Sequence, residues 1–97
     1  MRQIDMITNF CGGDYNAIVN KKCASLSCRI TNDDNVGLYC YDDLIAAFKI
    51  DTNEIVIINR IDKTNVMYQL LCKIKRELLE LSINYTCKND FNLVDYY

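Results

Sequence analysis

Residues 44–60 constrain the fold more than any other stretch. Two apolar runs, "LIAAFKI" (44–50) and "EIVIINR" (54–60), flank Asp51-Thr52-Asn53. A short connector carrying Asp and Asn supplies both the bend and the left-handed residue that a β-hairpin needs. Alternation along the first run predicts Leu44, Ala46, Phe48 and Ile50 on one face. Ile45, Ala47 and Lys49 then take the other. The second run holds Ile55-Val56-Ile57-Ile58, apolar on both faces. Such a run suits a central strand, or one covered on both sides.

The flanking sequence extends this hairpin into a sheet. "CASLSCRI" (23–30) alternates, with Ala24, Leu26, Cys28 and Ile30 facing one way and Ser25, Ser27 and Arg29 the other. "TNDDN" (31–35) is a polar turn cluster, because Asn and Asp tolerate left-handed backbone and bond their own main chain. "VGLYCY" (36–41) is the returning strand. Earlier, Gly12-Gly13-Asp14 reads as a turn ahead of an alternating run "YNAIVN" (15–20). After the hairpin, Met67, Leu70, Leu71, Ile74, Leu78 and Leu81 recur at three-to-four spacing, which is one apolar stripe of a helix. Asp62 or Thr64 can cap its start. Gln69, Lys73, Arg76, Glu77 and Glu80 mark its polar face. The aromatics of the tail, with Phe91, Leu93 and Val94, suit a docked segment or last edge strand. These readings give one domain over 1–97, with strands within 14–60, a helix at about 63–82 and a docked tail at 84–97. The fold class is α+β: a small antiparallel sheet of about five strands with one amphipathic helix packed on one face.

Composition limits the chemistry. The 97 residues are 51% hydrophobic with a formal net charge of −2, enough to bury one core. A pI near 4.9 argues against direct nucleic-acid binding, which needs clustered cations. No signal peptide and no apolar run of membrane-spanning length is read, so a cytoplasmic location and no membrane contact are expected. In a reducing compartment the six cysteines stay thiols, several of them core hydrophobes, with a disulfide framework as the alternative. With no histidine in the chain, the usual partner of a Cys or Ser nucleophile is missing. "NFCGGDYNAIV" (9–19) has neither phosphate-loop spacing, and is read as a bend rather than a reactive thiol or anion cradle. Cys23 and Cys28 are too few and too opposed on one strand for a metal hook. Asp33-Asp34 and Asp42-Asp43 are turn acids before they are catalysts. The expectation is no enzyme, no cofactor and no metal.

What remains is a contact surface. Asp33, Asp34, Tyr39, Tyr41, Asp42 and Asp43 bracket the strand 36–41, with Tyr39 and Tyr41 two apart on one face unless they join the core. Acids at both ends and rings between them suit a partner with a basic groove.

Residues 41–78 resemble a pattern common in small proteins of phages and mobile elements. Its parts here are Tyr41 with Asp42 and Asp43, then Ile45-Ala46, Asn53 to Ile58, and Thr64 leading into the helix; "DYNAIV" (14–19) is similar. The resemblance is to anti-CRISPR and other anti-defence inhibitors. It implies an inhibitor that contacts a host protein or ribonucleoprotein in the host cytoplasm. Two other readings stay open. One is a homodimeric regulatory or assembly subunit, from the two-sided apolar strand. The other is a small enzyme or a protein that sequesters a nucleotide signal.

Overall fold

The computed structural model describes residues 2–59 and 64–89. It is an α+β fold. Six strands form one sheet in chain order: β1 (Lys22–Cys23), β2 (Leu26–Ile30), β3 (Val36–Cys40), β4 (Asp43–Lys49), β5 (Glu54–Asn59) and β6 (Tyr85–Asn89). Helix α1 spans Gln3–Cys11 and helix α2 spans Asn65–Glu80. Neighbouring strands are antiparallel except β5 and β6, which run parallel with Ile55 opposite Tyr85. The parallel pair follows from α2, which returns the chain to the end of the sheet where β5 began.

Helix α1 was not anticipated. Met6, Ile7, Phe10 and Cys11 are its buried side, and that spacing is helical. The Asp5 carboxylate accepts the Arg2 backbone N–H at 3.3 Å, at the helix entry. The paired glycines close this helix rather than introduce a strand. The Asp14 N–H bonds the Asn9 carbonyl and the Gly13 N–H bonds the Phe10 carbonyl, with Gly13 at φ 81. That is a Schellman ending, and only the residue at φ 81 requires glycine. The expected strand at 15–20 is replaced by a single 3-10 turn, Tyr15–Ala17. The apparent alternation there came from half-buried Tyr15, Ala17 and Val19, while Ile18 between them is the fully buried residue.

Helix α2 starts as expected at Thr64, whose hydroxyl accepts the Met67 N–H at 3.2 Å. Asp62 lies outside the described residues, as do Phe91, Leu93 and Val94. The predicted stripe is buried at Met67, Leu70, Leu71, Ile74 and Leu78, while Leu81 is exposed. Both helices pack on one sheet face, against Leu26, Cys28, Val36, Leu38, Ile45, Ala46, Phe48, Ile55 and Ile57. The faces of β4 differ from strict alternation. Leu38 pairs with Ala46 but Tyr39 pairs with Leu44, so Ile45 is an extra residue in a β-bulge. Ile45 joins Ala46 and Phe48 under the helices, and Leu44 goes with Ala47 to the other face.

That other face has its own buried cluster: Tyr39, Leu44, Ala47, Val56 and Ile58. Strand β5 is buried on both faces within a single chain, which accounts for its unbroken apolar run. Gly37 sits beneath this cluster. A Cβ there would lie 2.8 Å from Leu44 and Tyr39 and 2.9 Å from Thr31. The Arg29 guanidinium lies 3.8 Å above the Tyr39 ring.

Candidate functional site

The six residues expected to form one contact surface lie along β3 and at its two ends. Asp33 and Asp34 are exposed in the turn at one end of β3, where Asp34 takes φ 60 and the Asn35 N–H bonds the Thr31 hydroxyl at 3.1 Å. Asp42 is exposed in the turn at the other end, and Asp43 is half-buried as the first residue of β4. The two turns are separated by the length of β3, roughly 17 Å at about 3.3 Å per residue. The two rings differ sharply in exposure. Tyr39 is only 6% exposed, under Arg29, so it offers a partner almost no surface. Tyr41 leaves the strand into the two-residue turn to β4, at φ 56, and is 65% exposed. That difference arises because β3 ends at Cys40: Tyr39 lies within the strand, while Tyr41 sits in the turn and lines a cavity with Ser27 and with Arg29, the residue that covers Tyr39.

The nucleophile candidates are placed just as clearly. All six cysteines are thiols. Cys11 is buried and its Sγ–H donates to the Ile74 carbonyl at 3.9 Å. Burial, with a lesser push from the Glu77 charge, raises its pKa to about 12. Burial raises Cys28 to about 12 as well. Burial and the nearby Asp43 charge raise Cys40, against a hydrogen bond with Ser25 that lowers it. Thiols held this way stay protonated near neutrality and are poor nucleophiles and poor metal ligands. Among the described residues, no three His, Cys, Asp or Glu side chains gather as a metal site.

Two surface features were not foreseen. At the end of α2, Leu79 is 78% exposed, and Leu81 and Tyr85 are exposed as well. A groove of about 660 Å³ runs there, lined by Lys75, Arg76, Leu79, Ile83 and Tyr85 among others. The turn that builds it has Ser82 at φ 58, with the Ile83 N–H bonded to the Leu78 carbonyl. The sequence showed Leu79 off the helix stripe, and that was its signal.

The second feature lies at the β1 corner. The Lys21 N–H bonds the Ile18 carbonyl, and Asn20 takes φ 65. The Asn20 N–H then bonds the Cys28 carbonyl while the Cys28 N–H bonds the Lys21 carbonyl. Two residues therefore oppose one, which is a bulge with a left-handed first residue. It brings Lys21 and Lys22 to a cavity of about 440 Å³ shared with Ser27, Arg29, Tyr41 and Asp42. Lys21 and Lys22 make no ion pair among the described residues. These cations are far apart in sequence from Tyr41 and Asp42, and no linear motif joins them.

No described helix is long and apolar enough to cross a membrane. Compared with known protein families, with curated proteins and with solved structures, the chain has no match.

Proposed function

We propose that the chain is a non-enzymatic binding protein, an inhibitor of a host defence nuclease complex of the CRISPR type. It acts in the host cytoplasm by protein–protein contact. The context comes from the resemblance of residues 41–78 to small anti-defence proteins. The observation that carries a contact role is Leu79, exposed at 78% in a groove lined also by Lys75, Arg76 and Tyr85. An exposed apolar side chain at a groove that also holds an aromatic ring and an arginine suits a contact surface, since aromatic residues and Arg are enriched at interfaces. The acids Asp33, Asp34 and Asp42 act at longer range. They steer the encounter with a basic body and contribute to rate more than to residence time. Tyr39 and Asp43 drop out as contacts, because one is buried and the other half-buried. The homodimer reading is weakened, since the apolar faces of β5 that suggested it are covered in one chain.

The test is a protection assay. Cells carrying a CRISPR-type nuclease are challenged with phage in the presence of the chain, and plaques are counted. Restored plaque formation is expected, and its absence across nuclease types removes the inhibitor reading. Leu79→Asp should abolish protection while leaving the melting curve in place, at a binding cost of about 2 kcal/mol or more. If Leu79→Asp protects as well as the parent chain, the contact surface is not this groove.

A further inference from the structure

The corner cavity between β1, β2 and the β3–β4 turn has the chemistry of a ligand site. The chain is acidic overall, yet Lys21, Lys22 and Arg29 converge on this cavity of about 440 Å³. The volume falls within the range of about 300–1,000 Å³ typical of small-molecule sites. One wall is Tyr41, and its conformation is the most informative fact. A bulky residue at φ 56 is strained, and glycine or asparagine would hold the same turn at lower cost. The fold gains little from the ring, which is 65% exposed. The turn is secured by the Tyr41 backbone N–H, bonded to the Ser25 carbonyl at 2.7 Å, and any residue but proline supplies that donor. The ring's value therefore lies outside the fold.

We propose that this cavity binds a mononucleotide. A bare anion would use the lysines but leave the ring idle, and Asp42 would repel it. A nucleotide satisfies every wall. Its phosphates meet Lys21, Lys22 and the Arg29 guanidinium, all of which line the cavity. Its base stacks on Tyr41, and a base N–H donates to the Asp42 carboxylate. Ser27 adds a hydroxyl for a phosphate or ribose oxygen. A nucleic-acid strand is the poorer fit, because the cations form one corner and not a stripe, on a chain of net charge −2. The proposal is independent of the α2 groove, and neither stands on the other.

Calorimetric titration of the whole chain with ATP, with inorganic triphosphate and with a short single-stranded RNA tests it. ATP should saturate one site, weaken with added salt, and bind about tenfold or more tighter than triphosphate, the difference being the stacked base. The double variant Lys21→Gln, Lys22→Gln should lose at least about tenfold in ATP affinity. Tyr41→Gly should erase the advantage of ATP over triphosphate while melting at the same or a higher temperature. Tyr41→Asn, which keeps a side chain suited to the turn, should behave likewise. No saturation by ATP up to about 1 mM overturns the site. So does an unchanged ATP advantage in both Tyr41 variants, a lower melting temperature in both, or an RNA that binds more tightly than ATP.

Discussion

Six non-glycine residues among those described take positive φ: Asn20, Ala24, Asp34, Tyr41, Asn53 and Ser82. Asn20, Asp34 and Asn53 are of the type that tolerates it, and the Asp51-Thr52-Asn53 connector was legible for that reason. Ala24, Tyr41 and Ser82 are not; the turns at Ala24 and Ser82 carry no sequence signal, and the one at Tyr41 is marked only by the acids Asp42 and Asp43. Ser82 follows α2 in the position where Gly13 follows α1. The Ser82 N–H bonds the Leu79 carbonyl and the Ile83 N–H bonds the Leu78 carbonyl, which repeats the same ending without the glycine. Ser82→Gly removes the steric cost of the Cβ, about 1–2 kcal/mol, and restores some chain freedom to the unfolded state. The net expectation is a gain of about 0.5–1 kcal/mol in urea unfolding with an unchanged slope. Gly13→Ala places the mirror-image strain on α1 and should lose a similar amount.

At the scale of elements, the strands from β2 to β5 and helix α2 were readable because each carries its period over several turns or pairs. Three features escaped. Helix α1 is short, and its four buried residues span too few turns to establish a period beside the turn signal of the glycine pair. Strand β1 has two residues, too few for any period. The bulge at Ile45 cannot be seen in a run where Leu44, Ile45, Ala46 and Ala47 are all apolar, since either register buries a plausible set. The bulge has a visible consequence at Gly37. By moving Leu44 to the second face it brings that side chain, with Tyr39 and Thr31, over the glycine. Gly37→Ala therefore overpacks a closed site, and a loss of about 1–3 kcal/mol is expected. Tyr39→Leu should lower that penalty in a double-mutant cycle, because one of the two closest atoms is in the Tyr39 ring. Equal penalties in both backgrounds would mean that Leu44 and Thr31 alone set the limit. The unequal exposure of the two expected contact rings comes from a strand boundary: β3 ends one residue before Tyr41, and that boundary decides which ring is buried.

For the whole molecule, the buried thiols couple stability to alkaline pH. An ordinary thiol titrates near 9, while Cys11 and Cys28 are pushed up to about 12 in the folded chain by burial, with Glu77 adding to the effect at Cys11. Above pH 9 the unfolded chain releases these protons and the folded chain keeps them. The folded state then binds more protons than the unfolded state, so stability falls as pH rises, and it does so from about 9 until the folded thiols titrate near 12. Each thiol contributes at most about 1.4 kcal/mol per pH unit within that window. Other groups of the chain also contribute to the pH dependence, so the decisive quantity is a difference in slope. The variant Cys11→Ala, Cys28→Ala should be less stable at pH 7, because two buried side chains shrink, but its stability should decline less steeply between pH 9 and pH 11. Urea unfolding at half-unit intervals, under reducing conditions, measures both curves. Parallel curves would show that the two thiols ionise as readily in the folded chain as in the unfolded one. The core would then admit water to Cys11 and Cys28, and the case against a reactive thiol in the glycine-rich stretch would have to be made again from accessibility alone.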